Sequence, residues 1–198
     1  MKKLFFTLAI MLGLTATVSA QDVGQIWVGG SVGFNSTKID GGDRVSSYRI
    51  LPEVGYAFTN NMGVGIRLGY AHNKPALNGS VNSDIIFKDA FTVNPFLRMS
   101  FLKGTMGSLF VDGGAAYTYG KTDYMLSTGQ TAAEKYKLNA WEVGFRPGVA
   151  VNVTDKITLT GKFGFLGYQH AKYAGIKGDN FGFDFDLSQT EIGVNLVF

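Results

Sequence analysis

The chain of 198 residues contains no cysteine, which excludes a disulfide framework and any thiolate metal site. Charge is also scarce. Asp, Glu, Lys and Arg make up only 17% of the residues, against 45% hydrophobic and 14% aromatic, and such a chain collapses rather than remaining a solvated coil. Histidine occurs only as His72 and His170, so no His cluster exists to hold a metal, and any imidazole base must be one of these two. After residue 20, Gly, Ser, Asn, Arg or Asp interrupts the apolar residues every second or third position, and no run approaches the ~20 residues of a membrane helix. Glycine, by contrast, is abundant. Each of the 27 glycines would weaken a helix interior by about 1 kcal/mol relative to alanine, so their spread along the chain points to a β protein.

The N-terminus reads as a secretory signal over residues 1–20, which leaves 21–198 as the mature chain. Lys2 and Lys3 form a basic start, Leu4 to Leu14 an apolar run too short to span a bilayer, and Val18-Ser19-Ala20 a small-residue cleavage site before Gln21. Removing Lys2 and Lys3 lowers the formal charge from +3 to +1. A nearly neutral mature chain is not a nucleic-acid binder, which would need clustered cationic excess.

From Ile26 onward period two dominates. Ile26, Val28, Val32 and Phe34 share one face, with Trp27, Gly29, Ser31 and Gly33 on the other. The pattern returns in seven further segments, around Tyr48–Phe58, Val64–Tyr70, Phe91–Phe101, Leu109–Tyr119, Trp141–Val153, Ile157–Phe165 and Thr190–Phe198. Strands of roughly ten residues with one continuous apolar face match the wall of an outer-membrane barrel. The links between them alternate. Thr59–Met62, Lys103–Gly107 and Thr154–Lys156 are short, while Asn35–Arg44, Ala71–Ala90, Lys121–Leu138 and Gly167–Gln189 are long, as in hairpins with tight periplasmic turns and surface loops opposite. The expected fold is therefore an all-β, eight-stranded antiparallel up-and-down transmembrane β-barrel.

The second face carries Glu53, Arg67, Arg98, Asp112, Glu142, Arg146, Lys162 and Glu191, four acids and four bases. If Ala57 pairs with Gly63, Glu53 stands opposite Arg67; if Leu102 pairs with Ser108, Arg98 stands opposite Asp112. An eight-stranded barrel is just wide enough for side chains to fill, and buried charges without partners would cost several kcal/mol each. This face is thus expected to form a closed, salt-bridged lumen, with Glu142 sitting higher than the rest.

These features resemble the small eight-stranded outer-membrane barrels, the OmpX-like and OmpA transmembrane-domain-like proteins of the outer membrane protein beta-barrel domain. The resemblance is sharpest at the end, TEIGVNLVF, where Ile192, Val194, Leu196 and Phe198 look like the C-terminal signal that such proteins present to the barrel assembly machinery. No peptidoglycan-binding domain is expected beyond the barrel, so the resemblance does not extend to the wall-tethering role of OmpA. The OmpX-like character implies surface contact or adhesion through loops. It also implies outer-membrane localisation in a Gram-negative-type bacterium, lipid and lipopolysaccharide neighbours, an extracellular partner and a monomeric state.

Other motifs are weak. His72, Ser83 and Asp84 share the second long link without a spacing that fixes a nucleophile, base and orienter together. Gly114–Thr122 misses the phosphate-loop spacing by one residue, and Gly63-Val64-Gly65 lacks the third glycine of a dinucleotide fingerprint. Asp40–Asp43 is turn chemistry that also suits a divalent cation between lipopolysaccharide phosphates. Phe181, Phe183 and Phe185 alternate with Asp184 and Asp186, an aromatic ladder suited to contact a partner or to pack on Tyr168 and Tyr173; a bulge near Ser188–Thr190 would then restore the register of Ile192. The expected protein is a non-enzymatic, cofactor-free anchor whose output lies in its surface loops. The alternatives are a narrow porin-like channel or hydrophobic-ligand conduit and, further off, a lipid-modifying enzyme.

Overall fold

The computed structural model describes residues 23–38, 44–74, 89–125, 131–173, 176–184 and 191–198. All of its regular structure is strand: β1 (Ile26–Lys38), β2 (Arg44–Ala57), β3 (Met62–Lys74), β4 (Asp89–Gly104), β5 (Gly107–Met125), β6 (Thr131–Thr154), β7 (Ile157–Lys162), β8 (Phe165–Tyr173), β9 (Ile176–Asp184) and β10 (Glu191–Val197). Consecutive strands pair antiparallel from β1 to β6, and β10 returns to β1 from Trp27↔Val197 to Val32↔Ile192, closing the barrel. β7 and β8 both pair with β6, so together they form the seventh strand of the wall; β9 and β10, paired to β8 and β7, form the eighth. The result is a closed eight-stranded antiparallel barrel.

The sequence explains this wall position by position. On β2, Leu51, Glu53, Gly55 and Ala57 face in and are buried, while Ile50, Pro52, Val54 and Tyr56 face out. An apolar outer surface has no favourable contact with water; it is solvated by lipid. Two tight turns are fixed by the threonine that opens them. Thr59 Oγ1 accepts the amides of Asn61 and Met62 at 3.2 and 2.8 Å, and Thr154 Oγ1 those of Lys156 and Ile157 at 3.2 and 3.0 Å.

Three expectations are corrected. The long links are shorter than the alternation suggests, because the strands continue past the apolar wall: β5 and β6 stay paired up to Met125↔Thr131, and His72 and His170 lie on β3 and β8 rather than in loops. Along β5 and β6 the backbone ladder persists after the period-two apolar signature of the wall has faded. Second, Leu102 does not pair with Ser108. The ladder steps from Phe101↔Leu109 to Gly104↔Gly107, leaving a bulge. Third, the alternation expected over Ile157–Phe165 breaks before its end, and Phe165 does not share the outer face of Leu159. On the β6 side, between Lys162↔Gly148 and Leu166↔Phe145, the three residues Phe163, Gly164 (φ +74) and Phe165 stand against two, Arg146 and Pro147, and this flips Phe165 inward and Leu166 outward. The proposed break at Ser188–Thr190, Phe185, Asp40–Asp43, Ser83 and Asp84 lie outside the described residues, as do residues 1–20.

Candidate functional site: a charged plug and two rim clusters

Five of the eight lumen charges meet in one buried cluster. Glu53 stands opposite Arg67 in the β2–β3 ladder, and Arg98 opposite Asp112 in the β4–β5 ladder. Arg67 donates to Glu53 Oε2 from Nε at 3.2 Å and Nη2 at 3.0 Å, and to Asp112 Oδ2 at 3.0 Å. Arg98 donates to Asp112 from Nε at 2.7 Å and Nη2 at 2.9 Å, and to Glu53 Oε1 at 3.3 Å. Lys162 crosses from β7 to reach Glu53 Oε2 at 2.7 Å, and Asn195 Nδ2 donates to Glu53 Oε1 at 3.1 Å. All five charged residues are 5% exposed or less. Their multiple hydrogen bonds offset the desolvation that makes buried ion pairs expensive, because each carboxylate has several donors.

Aromatic rings complete the cross-section. The Arg98 guanidinium lies 4.3 Å from the Phe110 ring centroid, 5.2 Å from Trp27 and 5.3 Å from Phe96; Arg67 lies 4.6 Å over Phe96. A weakly hydrated planar cation is well suited to such a stack. Room for the indole comes from Gly55 and Gly63, where an added Cβ would stand 2.0 and 2.7 Å from Trp27 carbons. The sequence carried the signal for these rings, since Trp27, Phe96 and Phe110 share the parity of the charges, but charge alone drew the expected lumen.

The other three charges lie apart from this cluster. Glu142 and Arg146 pair with each other, Gln169 Nε2 donates to Glu142 at 3.2 Å, and Arg146 stacks 4.5 Å over Phe165. Glu191 pairs with Arg49 at 3.1 Å, a partner with the same parity as Glu53 that the sequence reading left out. Cavities flank the plug. One of about 320 Å³ opens among the tight turns and includes Trp27, Arg98, Lys103 and Asn195 in its lining; the other, about 310 Å³, lies on the loop side near Arg49, Arg146, Lys162 and Glu191.

The outer face carries the same constellation twice. Tyr48, His72 and Asp89 are cross-strand neighbours on β2, β3 and β4; Trp141, His170 and Asp179 are cross-strand neighbours on β6, β8 and β9, four wall positions away. His72 Nδ1 is 2.8 Å and the Tyr70 hydroxyl 2.7 Å from Asp89 Oδ1, while Tyr48 packs on His72 at 5.2 Å between centroids. In the second copy His170 Nδ1 is 2.6 Å from Asp179 Oδ1, Tyr168 donates to the same oxygen, and Trp141 packs on His170 at 5.7 Å and Tyr168 at 5.1 Å. Each carboxylate ties down the polar ends of an otherwise apolar aromatic group, the chemistry of a membrane-interface belt. His72 therefore stands with Tyr70 and Asp89.

Phe181 and Phe183 are 76% and 65% exposed on the outer face of β9, opposite Tyr168 and Leu166, and β9 pairs only with β8 among the described residues. Ile192, Val194 and Leu196 face outward on the closing strand β10, with Phe198 72% exposed at its end.

Comparison with known proteins agrees with this geometry. The family model described as "Outer membrane protein beta-barrel domain" matches residues 6–198. The fold is similar to that of Neisserial surface protein A (NspA), with TM-score 0.53, 13% identity and coverage of 88% of this chain and 97% of that one. It is also similar to the outer membrane protein OprG from Pseudomonas aeruginosa, with TM-score 0.51, 15% identity and coverage of 92% and 99%. No curated protein matches the sequence significantly.

Proposed function

The chain belongs to the outer membrane protein beta-barrel domain family and lies in the outer membrane, and from that premise we propose that its barrel is a closed, non-enzymatic anchor for contacts made at the cell surface. The plug carries this reading. Five interlocked charges and three rings fill the lumen between its two cavities, and an ion passing through would have to dissolve a network whose members are hydrogen-bonded to one another. Contact at the surface falls to the hairpins that outlast the lipid wall, above all β8–β9, whose exposed Phe181 and Phe183 border a strand edge suited to β-augmentation. Phe185 continues that ladder in sequence. Outer-leaflet lipopolysaccharide surrounds the aromatic rim, and β10 with Phe198 supplies the signal for the barrel assembly machinery.

The second reading is a narrow channel or conduit, favoured by one observation: cavities of about 320 and 310 Å³ reach the plug from both sides, one at Arg98 and Asn195 and the other at Lys162, all three bonded to Glu53. Planar-bilayer recording of the purified full chain decides between them. The anchor gives no steady current, whereas stable open-channel conductance would establish the pore. In parallel, Phe181→Ser with Phe183→Ser should reduce adhesion of expressing cells at unchanged barrel levels; undiminished adhesion would remove the ladder from the contact surface.

A further inference from the structure

Lys103 is turned into the lumen by a strained backbone. Regular alternation after Arg98 and Ser100 would send Leu102 inward and Lys103 outward. Instead the bulge places Leu102 at φ +49, the sole non-glycine positive φ among the described residues, with its side chain 62% exposed. A β-bulge of this kind re-aims a side chain, and the left-handed conformation is unfavourable for a residue with a branched side chain. In return, the Lys103 ammonium lies buried at the turn-side cavity with no hydrogen-bond partner, and no ion pair is formed by it among the described residues. Two further orphans, the Trp27 Nε1 donor and the Asn195 Oδ1 acceptor, are buried atoms of residues that also border this cavity and are 2% and 3% exposed. The plug above the cavity holds three cations and two carboxylates, so it too is short of one negative charge. Asp155, the acid in the lining, is exposed on its turn.

We propose that this cavity is a binding site for a small oxyanion of the phosphate class entering from the periplasm. Lys103 supplies the charge and Trp27 Nε1–H a second donor, while Asn195 Oδ1 accepts from a P–OH group. That acceptor favours inorganic phosphate, which keeps a P–OH at neutral pH, over sulfate, which has none; a phosphomonoester, whose second ionisation falls at about pH 6, offers one only in its minor monoanionic form. The cavity volume, about 320 Å³, leaves room for a substituent beyond the anion itself.

The two tryptophans make the test direct, because Trp27 lines the cavity and Trp141 lies on the outer face as an internal control. The full chain, refolded in micelles and 15N-labelled, is titrated with inorganic phosphate, sulfate or chloride at constant ionic strength while both indole N–H signals are followed. Expected is a saturable shift of Trp27 with phosphate, weaker binding of sulfate and an unmoved Trp141. Lys103→Gln should bind phosphate at least about tenfold more weakly, the loss of one charged hydrogen bond, and Lys103→Arg should restore most of it. A linear, anion-indifferent drift of Trp27 in the wild-type chain would overturn the site, as would equal phosphate affinity in Lys103→Gln. Sulfate binding as tight as phosphate would overturn the acceptor role of Asn195 and leave a plain anion site. The wild-type titration stands even if a variant fails to fold, and none of these results bears on conductance.

Discussion

Removal of Asp112 tests the charge balance of the lumen most sharply. Its carboxylate takes Arg98 Nε at 2.7 Å, Arg98 Nη2 at 2.9 Å and Arg67 Nη2 at 3.0 Å, among charged side chains no more than 7% exposed. In Asp112→Leu the three cations Arg67, Arg98 and Lys162 share Glu53 alone, and the excess rises from one positive charge to two. Breaking a buried pair in this way costs about 3–5 kcal/mol. Arg98→Met acts oppositely on the balance. It leaves Arg67 and Lys162 with Glu53 and Asp112, a neutral set, and loses only the guanidinium's hydrogen bonds and ring stacking, roughly 1–3 kcal/mol. The double variant returns the excess to one, so it should be more stable than Asp112→Leu alone, with a coupling of about 1–3 kcal/mol. Urea unfolding in lipid vesicles, followed by tryptophan fluorescence, measures all four proteins, and Trp27 reports locally because its ring lies 5.2 Å from Arg98. Additive effects, or Arg98→Met costing as much as Asp112→Leu, would mean that water rather than the partner charge solvates these groups. The plug would then be a hydrated lining and the channel reading would stand.

The other variants probe the wall and its assembly. Outward Leu68→Arg should destabilise by about 2–4 kcal/mol in the same assay, whereas Gly65→Ala, whose Cβ would meet Phe96 Cζ at 2.5 Å and the Val54 carbonyl at 2.9 Å, should cost about 1–3 kcal/mol through crowding. A Leu68→Arg as stable as wild type would place that face away from lipid. Phe198→Ser should lower the heat-modifiable barrel in the outer-membrane fraction and raise the periplasmic pool; unchanged fractions would remove Phe198 from the assembly signal.

The fold was legible because lipid and lumen impose opposite chemistry on alternate residues. Val54 beside Glu53, or Leu97 beside Arg98, leaves no freedom over which side chain faces which medium, and a slip of one residue would put the arginine in hydrocarbon. Register followed from the same constraint, since complementary charges at Glu53 and Arg67 fall opposite each other only when Ala57 meets Gly63. The signal ended where the lipid ended. Thr122 opposite Tyr136 and Asp123 opposite Lys135 continue the β5–β6 ladder, but the sequence there no longer alternates apolar with polar residues, so it reads as loop where the backbone remains strand. His72 and His170 were misplaced for that reason, and with them the two Tyr–His–Asp clusters: Tyr70-Ala71-His72 on β3 and Tyr168-Gln169-His170 on β8 repeat one spacing that went unread, while Asp89 and Asp179 come from the neighbouring strands.

What alternation could not locate lies just past its own interruptions. A bulge adds one residue to one strand and inverts every assignment after it until the next irregularity. At Leu102 that inversion brings Lys103 into the turn-side cavity, and at Phe163-Gly164 it brings Phe165 under Arg146. Neither residue would enter the lumen from a strand in uninterrupted register. Both interruptions sit beside a cavity, and both deliver a group that contacts a charge or remains unsatisfied next to one. A uniformly alternating barrel would be a wall and a filling. The departure at Leu102 adds a cation to that filling without adding a partner for it, at a cavity already bordered by Trp27 and Asn195, and this is the charge that the anion proposed above would balance.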